Sequence, residues 1–344
     1  MNFALPSGMW AARLRAPLLA LVVGLAAACE SSEVPTNSDP AATQALPESA
    51  SLQAPEDVDS TEIAHAEEAT EAVAAATDLV DGLSFSTASF SGIPGGTFHL
   101  PTSLYGTYTG SVRAQSPWST LRDLERFRSK GTRVFLSLSG SRNNYTNSDG
   151  TFNFTLWKQR VDRFRGINFS SYINDGTVAG HYLMDEPNCT SCWGGKKIPQ
   201  STVEAAAKYS KQIWPGMTTV VRVSPGYLKG YSGNYIYLDA AWSQYAARFG
   251  DINTYIQTNV SQAKALGLGL VMGLNVLRGG TNGSKMSASQ LKSWGGAILA
   301  SSYICGFLGW KYDDTYFSRS DIQSAMAELV KKARNHTKAS CKVS

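Results

Sequence analysis

The stretch "HYLMDEPNCTSCWGG", His181–Gly195, sets two carboxylates side by side, Asp185 and Glu186, directly after an apolar run and before a proline. Adjacent carboxyl groups in unlike surroundings can divide the acid and base roles of a reaction, because repulsion or desolvation moves one pKa away from the other. The other acids of residues 83–344 are few enough to sort by context. Asp123, Glu125, Asp162, Asp251 and Glu328 fall within helical patterns, and Glu204 and Asp321 read as helix-start residues. Asp149 and Asp175 sit in the turn contexts "SDG" and "NDG". Asp185, Glu186, Asp239, Asp313 and Asp314 remain, all at the ends of predicted strands.

Other chemistries fit less well. A serine hydrolase of the nucleophile-elbow type needs G-x-S-x-G, and the sequence has none; a Walker loop is also missing. A zinc hydrolase needs several histidines, whereas residues 83–344 hold His99, His181 and His336, and His181 lies inside an apolar run. "CTSC" has the spacing of a redox or zinc motif, but no second C-x-x-C accompanies it and no strand–CxxC–helix context surrounds it. No metal or cofactor is expected. Cys189, Cys192, Cys305 and Cys341 are an even set, read as a local Cys189–Cys192 disulfide with Cys305–Cys341 as its companion.

The elements that must position these groups alternate along the chain. "SLYGTYTG", "TRVFLSLSG", "TVAGHYLMDEP", "MTTVVRVSP", "YLDAAWSQY", "LGLVMGLNV" and "ICGFLGWKYDD" read as strands, with an eighth in "LSFSTASFSGI". Between them lie helical patterns, one starting at Ser116–Pro117 and another opened by a capping box of Ser201 with Glu204. Strands alternating with helices mean βαβ units, and this length suits a (β/α)8 barrel, with one strand irregular or missing. A doubly wound sheet is the alternative, but no glycine-rich phosphate turn follows an early strand.

A barrel gathers its chemistry at the C-terminal strand ends. Those ends read Tyr105 and Tyr108; Ser139 and Arg142; Asp185, Glu186 and Asn188; Arg222 and Ser224; Asp239 and Trp242; Asn275 and Arg278; Trp310, Lys311, Asp313 and Asp314. "LMDEPN" resembles the strand-ending "NEP" of the barrel glycoside hydrolases. The resemblance implies that Glu186 is the general acid/base and that Asp185 stands where the family has a sugar-contacting asparagine. The family also carries a late-strand nucleophilic glutamate, and here only Asp239, Asp313 and Asp314 are at hand. Glycoside hydrolysis needs two carboxyl groups flanking one bond, so Asp313 or Asp239 is expected as the second, with Asp185 a further candidate. Tyr105, Tyr108, Arg142, Tyr182, Asn188, Arg222, Trp242, Asn275, Arg278, Trp310 and Lys311 are the expected substrate contacts. Two readings compete with catalysis. One is a non-catalytic lipoprotein that binds carbohydrate or anionic polymer on a barrel scaffold. The other makes the DEP acids structural, paired with Arg222 to pin the barrel mouth.

Residues 1–29 carry Arg13 and Arg15, the apolar run "APLLALVVGLAAAC" and Cys29, the layout of an export signal. "LAAAC" resembles the lipobox of bacterial lipoproteins, which implies that 1–28 is removed and Cys29 acylated. An ordinary secretory signal cut near Ala28 is the alternative. Residues 30–82 hold 13 acids, no Lys or Arg and no aromatic residue, and read, with Cys29, as a disordered acidic tether. That leaves 29 basic against 14 acidic residues over 83–344, an excess of 15. Such a surface favours anionic partners, so the expected polymer is an acidic glycan. Nucleic acid is not expected for an exported protein, and the membrane is reached only through the lipid. We predict that labelled fatty acid enters the unaltered protein and not Cys29→Ala; equal labelling of both would leave a freely secreted chain.

Overall fold

The computed structural model describes residues 90–338 and 340–342. The expected signal segment, the tether and Cys29 lie outside the described residues, as does most of "LSFSTASFSGI". Eight parallel strands close into a barrel in chain order. They are β1 Gly95–Phe98, β2 Gly110–Ala114, β3 Arg133–Ser137, β4 Val178–Asp185, β5 Thr219–Arg222, β6 Ala240–Tyr245, β7 Gly269–Leu274 and β8 Ile304–Gly309. Gly95 pairs with Phe307 to seal the ring. Helices α1 Thr120–Ser129, α2 Phe154–Asp162, α3 Ser170–Asn174, α4 Gln200–Ile213, α5 Pro225–Leu228, α6 Ile252–Ala265, α7 Ala288–Leu299, α8 Asp314–Phe317 and α9 Ser320–Arg334 complete the order. The architecture is the expected (β/α)8 barrel. No helix among the described residues is long and apolar enough to cross a membrane.

Strands such as "GLVMGL" are buried on both faces, as parallel strands wrapped by helices must be. One set of side chains fills the barrel: Phe98, Val112, Phe135, Tyr182, Val220, Trp242, Val271 and Leu308. The other set packs under the helices. The foot of the barrel is sealed covalently, since Cys305 of β8 is joined to Cys341. The C-terminal segment runs so close there that a Cβ on Gly269 would collide with the Cys341 carbonyl. The second disulfide, Cys189–Cys192, lies at the opposite end, after β4.

Three local expectations are corrected. The first strand is the glycine-rich "GGTF", and "SLYGTYTG" is the end of a 3-10 helix and a turn leading down to β2. Tyr105 therefore does not stand at the mouth: it is buried against Phe127 of α1, with ring centroids 4.2 Å apart. Tyr108 is buried beside it, its carbonyl accepting from the Thr132 hydroxyl at 2.8 Å. Helix α1 starts at Thr120, not at Ser116. The Ser201–Glu204 capping box does not form. Glu204 is buried and accepts from the backbone N–H groups of Ile236, Tyr237 and Leu238 at 2.8, 2.8 and 3.0 Å, so it shapes the approach to β6.

His181 of β4 points outward into a wholly buried layer. Its ring stacks on Trp157 at 6.0 Å, and its Nδ1 meets the Ser210 hydroxyl at 2.8 Å. Burial pushes its pKa from 6.5 down to about 3. Between those values an unfolded chain holds a proton that the native chain does not, so stability present above pH 6.5 is lost as the pH falls. We predict that stability falls more steeply for the unaltered protein than for His181→Gln, by about 1.4 kcal/mol per pH unit below 6.5. Urea titrations between pH 7 and pH 4.5 measure this, and equal slopes would remove His181 as the cause.

Candidate active site at the barrel mouth

Strand β4 delivers the DEP sequence to the mouth. Asp185 pairs in register with Arg222, the last residue of β5. Arg222 is buried, with 8% of its side chain exposed, and every side of its guanidinium is engaged. Nε donates to Asp185, Nη2 meets Glu186 at 3.2 Å, and Nη1 donates to Gln244 Oε1 at 2.6 Å. The Trp310 ring lies 5.0 Å from its face. Burial alone would lower this arginine's pKa, but the charges of Asp185 and Glu186 outweigh it and hold the cation firmly charged. The structural alternative for the DEP acids is thus present as geometry: the pair does pin the mouth through Arg222.

Glu186 departs from a purely structural acid in two respects. Its side chain is 48% exposed, against 35% for Asp185. Its φ is +40°, in the left-handed region that non-glycine residues avoid. The surroundings hold it there from both sides. Its N–H donates to the Arg222 carbonyl at 2.9 Å. Its carbonyl accepts from the Cys189 N–H and from Trp193 Nε1, each at 2.9 Å. Trp193 is buried against Tyr145 and Phe152 of the β3–α2 connection, and Arg142 lies 5.7 Å over its ring. The Cys189–Cys192 bridge closes the same loop, with Cys192 Sγ 4.0 Å from Glu186 Oε2. These groups cluster within metal-ligand range, but disulfide sulfurs are not thiolates and offer no ordinary metal site.

Below the acids lies an aromatic floor. Phe98, Tyr182, Trp242 and Trp310 pack ring to ring, with Phe98 4.8 Å from both Trp242 and Trp310. Trp242 is fully buried and Tyr182 nearly so, which makes them support, whereas Trp310 keeps part of its ring open. Burial, and then the Asp185 charge, push the Tyr182 hydroxyl well above its ordinary pKa, so it stays protonated beside Arg222. Asn188, Arg278 and Lys311 are exposed at the rim, and Asn275 accepts from the Arg278 N–H at 3.1 Å.

The two other carboxylate candidates are employed elsewhere. Asp239 precedes β6 and so sits at the foot of the barrel, where it binds Lys211 at 2.5 Å and the Thr219 N–H at 2.7 Å. Asp313 is near the mouth but caps α8. It accepts from the Tyr316 N–H at 2.9 Å, with Lys285 at 3.3 Å, and the first of these, then the lysine, lowers its pKa.

Two mouth residues were missed. Gln244 shares the inward face of β6 with Trp242, and the period-2 spacing of "WSQ" is the signal that finds it. His99 directly follows β1 with φ +55°, a strand too short and glycine-rich to be legible. Partial desolvation, then the charges of Lys311 and Arg113, lower its pKa. The mouth is therefore polarised, with basic groups over β8, β1 and β2 and the acids on β4.

The strain at Glu186 is testable. Glycine accepts φ +40° freely and alanine does not, so Glu186→Gly should be more stable than Glu186→Ala by about 1 kcal/mol in urea unfolding. Equal stabilities would mean that the backbone relaxes once the carboxylate is gone.

No protein-family model and no curated protein sequence matches the chain. Solved structures with a similar fold include a GH18 chitinase from Pseudoalteromonas aurantia, at 13% identity over 69% of this chain and 99% of that one, TM-score 0.45. A beta-D-glucuronidase of Dictyoglomus thermophilum aligns at 9% identity over 71% and 51% of the two chains, TM-score 0.46. Gas2p of Saccharomyces cerevisiae, in complex with laminaritetraose and laminaripentaose, aligns at 10% identity over 74% and 68%, TM-score 0.46. Likeness at this level concerns barrel architecture and carries nothing about the chemistry of the mouth.

Proposed function

We propose that the barrel mouth binds a carbohydrate polymer and that Glu186 transfers the proton in glycoside hydrolysis. The observation that carries this is the half-exposed Glu186 carboxylate held at the mouth on a strained backbone, above an aromatic floor. Asp185, fixed by Arg222, is the positioning partner that orients a sugar hydroxyl or a water toward Glu186. Aromatic rings beside charged and amide groups are the ordinary means of holding a sugar's apolar face and polar edge together. The basic groups Lys311, Arg113 and Arg278 favour an acidic glycan, because guanidinium and ammonium groups grip carboxylates and sulfates. Export and acylation at Cys29 belong to the same proposal, supported by the "LAAAC" sequence and by two disulfides.

A second reading, a non-catalytic binder, is favoured by one observation: neither Asp239 nor Asp313 offers a free carboxylate toward Glu186. Glu186→Gln separates the two. Assayed on polygalacturonate, alginate, a sulfated galactan and a neutral glucan, the hydrolase should cleave at least one, and the variant should lose about 10²- to 10⁴-fold in kcat with KM little changed. Binding of a polymer with no turnover by either protein would overturn hydrolysis and leave the binder. Salt-insensitive action on the neutral glucan alone would overturn the acidic preference.

A further inference from the structure

Among the described residues, the large apolar side chains most open to solvent are Trp118, Ile236 and Phe249. Ile236 lies on the segment that leads from α5 to β6. The other two lie on connections that leave the C-terminal strand ends: Trp118, 61% exposed, between β2 and α1, and Phe249, 47% exposed, between β6 and α6. In a closed ring of eight strands taken in order, β2 and β6 are four places apart in either direction. The two rings therefore stand on opposite sides of the mouth, with the Asp185–Glu186–Arg222 group between them on β4 and β5.

Each ring has a guanidinium against it. Arg122 lies 5.6 Å from the Trp118 ring, and Arg248 lies 4.6 Å from that of Phe249, which also stacks on Tyr255 at 5.4 Å. The β6 connection is tied to the next one, where Ala247 N–H donates to the Gly279 carbonyl at 2.8 Å, and this sets Arg278 beside the Phe249 rim. On the far side, Arg113 and Lys311 act together on His99. Two connections on opposite sides of the C-terminal end thus each carry an exposed aromatic ring with a cation against it. A ring with a guanidinium against it offers a ligand apolar and cationic contact at one place. The charge beside each ring says that the partner is anionic.

We propose, resting on the carbohydrate reading above, that the mouth takes an acidic glycan as an extended chain. The chain crosses from the Trp118–Arg122 rim to the Phe249–Arg248 rim and passes over Glu186. Sugars pack against the exposed parts of the two rings, and their carboxylates meet the flanking arginines. The site accordingly engages the interior of a polymer, and short oligomers reach only its centre.

Chain-length dependence tests this. Polygalacturonate and alginate, each as dimer, octamer and polymer, are titrated by calorimetry into the unaltered protein, Trp118→Ala, Phe249→Ala and the double variant. Both rings are exposed, so neither substitution threatens the fold, and thermal unfolding controls for it. Each single variant should weaken octamer binding roughly three- to tenfold and leave dimer binding unchanged. The double variant should show the product of the two losses, because distant sites act independently. If the unaltered protein binds the octamer and the variants bind it equally well, the rim proposal is wrong and the central site stands. Equal losses for dimer and octamer also overturn it. If the unaltered protein binds neither glycan at any length, the acidic-carbohydrate reading fails and the rim proposal with it.

Discussion

A buried guanidinium cannot be left without partners, and Arg222 imposes that condition on the whole mouth. Placing a charge in a low-dielectric site costs several kcal/mol, on the order estimated for ions in proteins, unless other groups replace the lost water. Here the replacements come from separate strands: Asp185 from β4, Gln244 from β6 and the Trp310 ring after β8. Four consecutive or near-consecutive strand ends are thereby fixed to one side chain.

The knot explains the division of labour between the two acids. Asp185 takes the Nε edge of the guanidinium and is the less exposed of the pair, so most of its capacity is spent on structure. Glu186 meets the same cation at 3.2 Å and remains half open to solvent. Its backbone is fixed by Arg222's own carbonyl on one side and by the Trp193 indole on the other. The disulfide loop and the β3–α2 connection meet at Trp193, so two otherwise long excursions of chain converge on the placement of one carboxylate. Beneath them the aromatic floor fills the centre of the barrel with largely apolar side chains, and low polarity strengthens the charge interactions above it.

What the sequence made legible follows from what each signal measures. The parallel strands are apolar on both faces and punctuated by helices, so β3 to β8 could be read directly, and with them the mouth positions of Asp185, Glu186, Arg222 and Trp310. β1 failed because "GGTF" has too few side chains to show any period. That failure displaced Tyr105 and Tyr108, which belong to the descending turn beneath α1. Asp239 misled for a different reason. The side-chain period identifies a strand but not where along it the pairing begins, and Asp239 stands one residue before β6 instead of after it. Glu204 shows a third limit, since a capping-box spacing cannot reveal that a distant loop offers three N–H groups to the same carboxylate. The backbone strain at Glu186 has no sequence signature at all.

That strain bears most directly on what the position is for. A non-glycine residue in the left-handed region costs about 1 kcal/mol or more, and it persists only where its neighbours over-determine it. At Glu186 they do, through three hydrogen bonds to its backbone groups. If the position served only the turn, glycine would satisfy the same three bonds with no strain, as it does at Gly194 and Gly195 in the same loop. If it served only to neutralise Arg222, Asp185 already supplies the opposite charge while Gln244 fills another edge, and an acid on an unstrained backbone would hold the third at lower cost. Neither structural role calls for a long, half-exposed carboxylate on a strained backbone. In the proposed hydrolysis, the carboxyl group at this position is the one presented to the sugar chain.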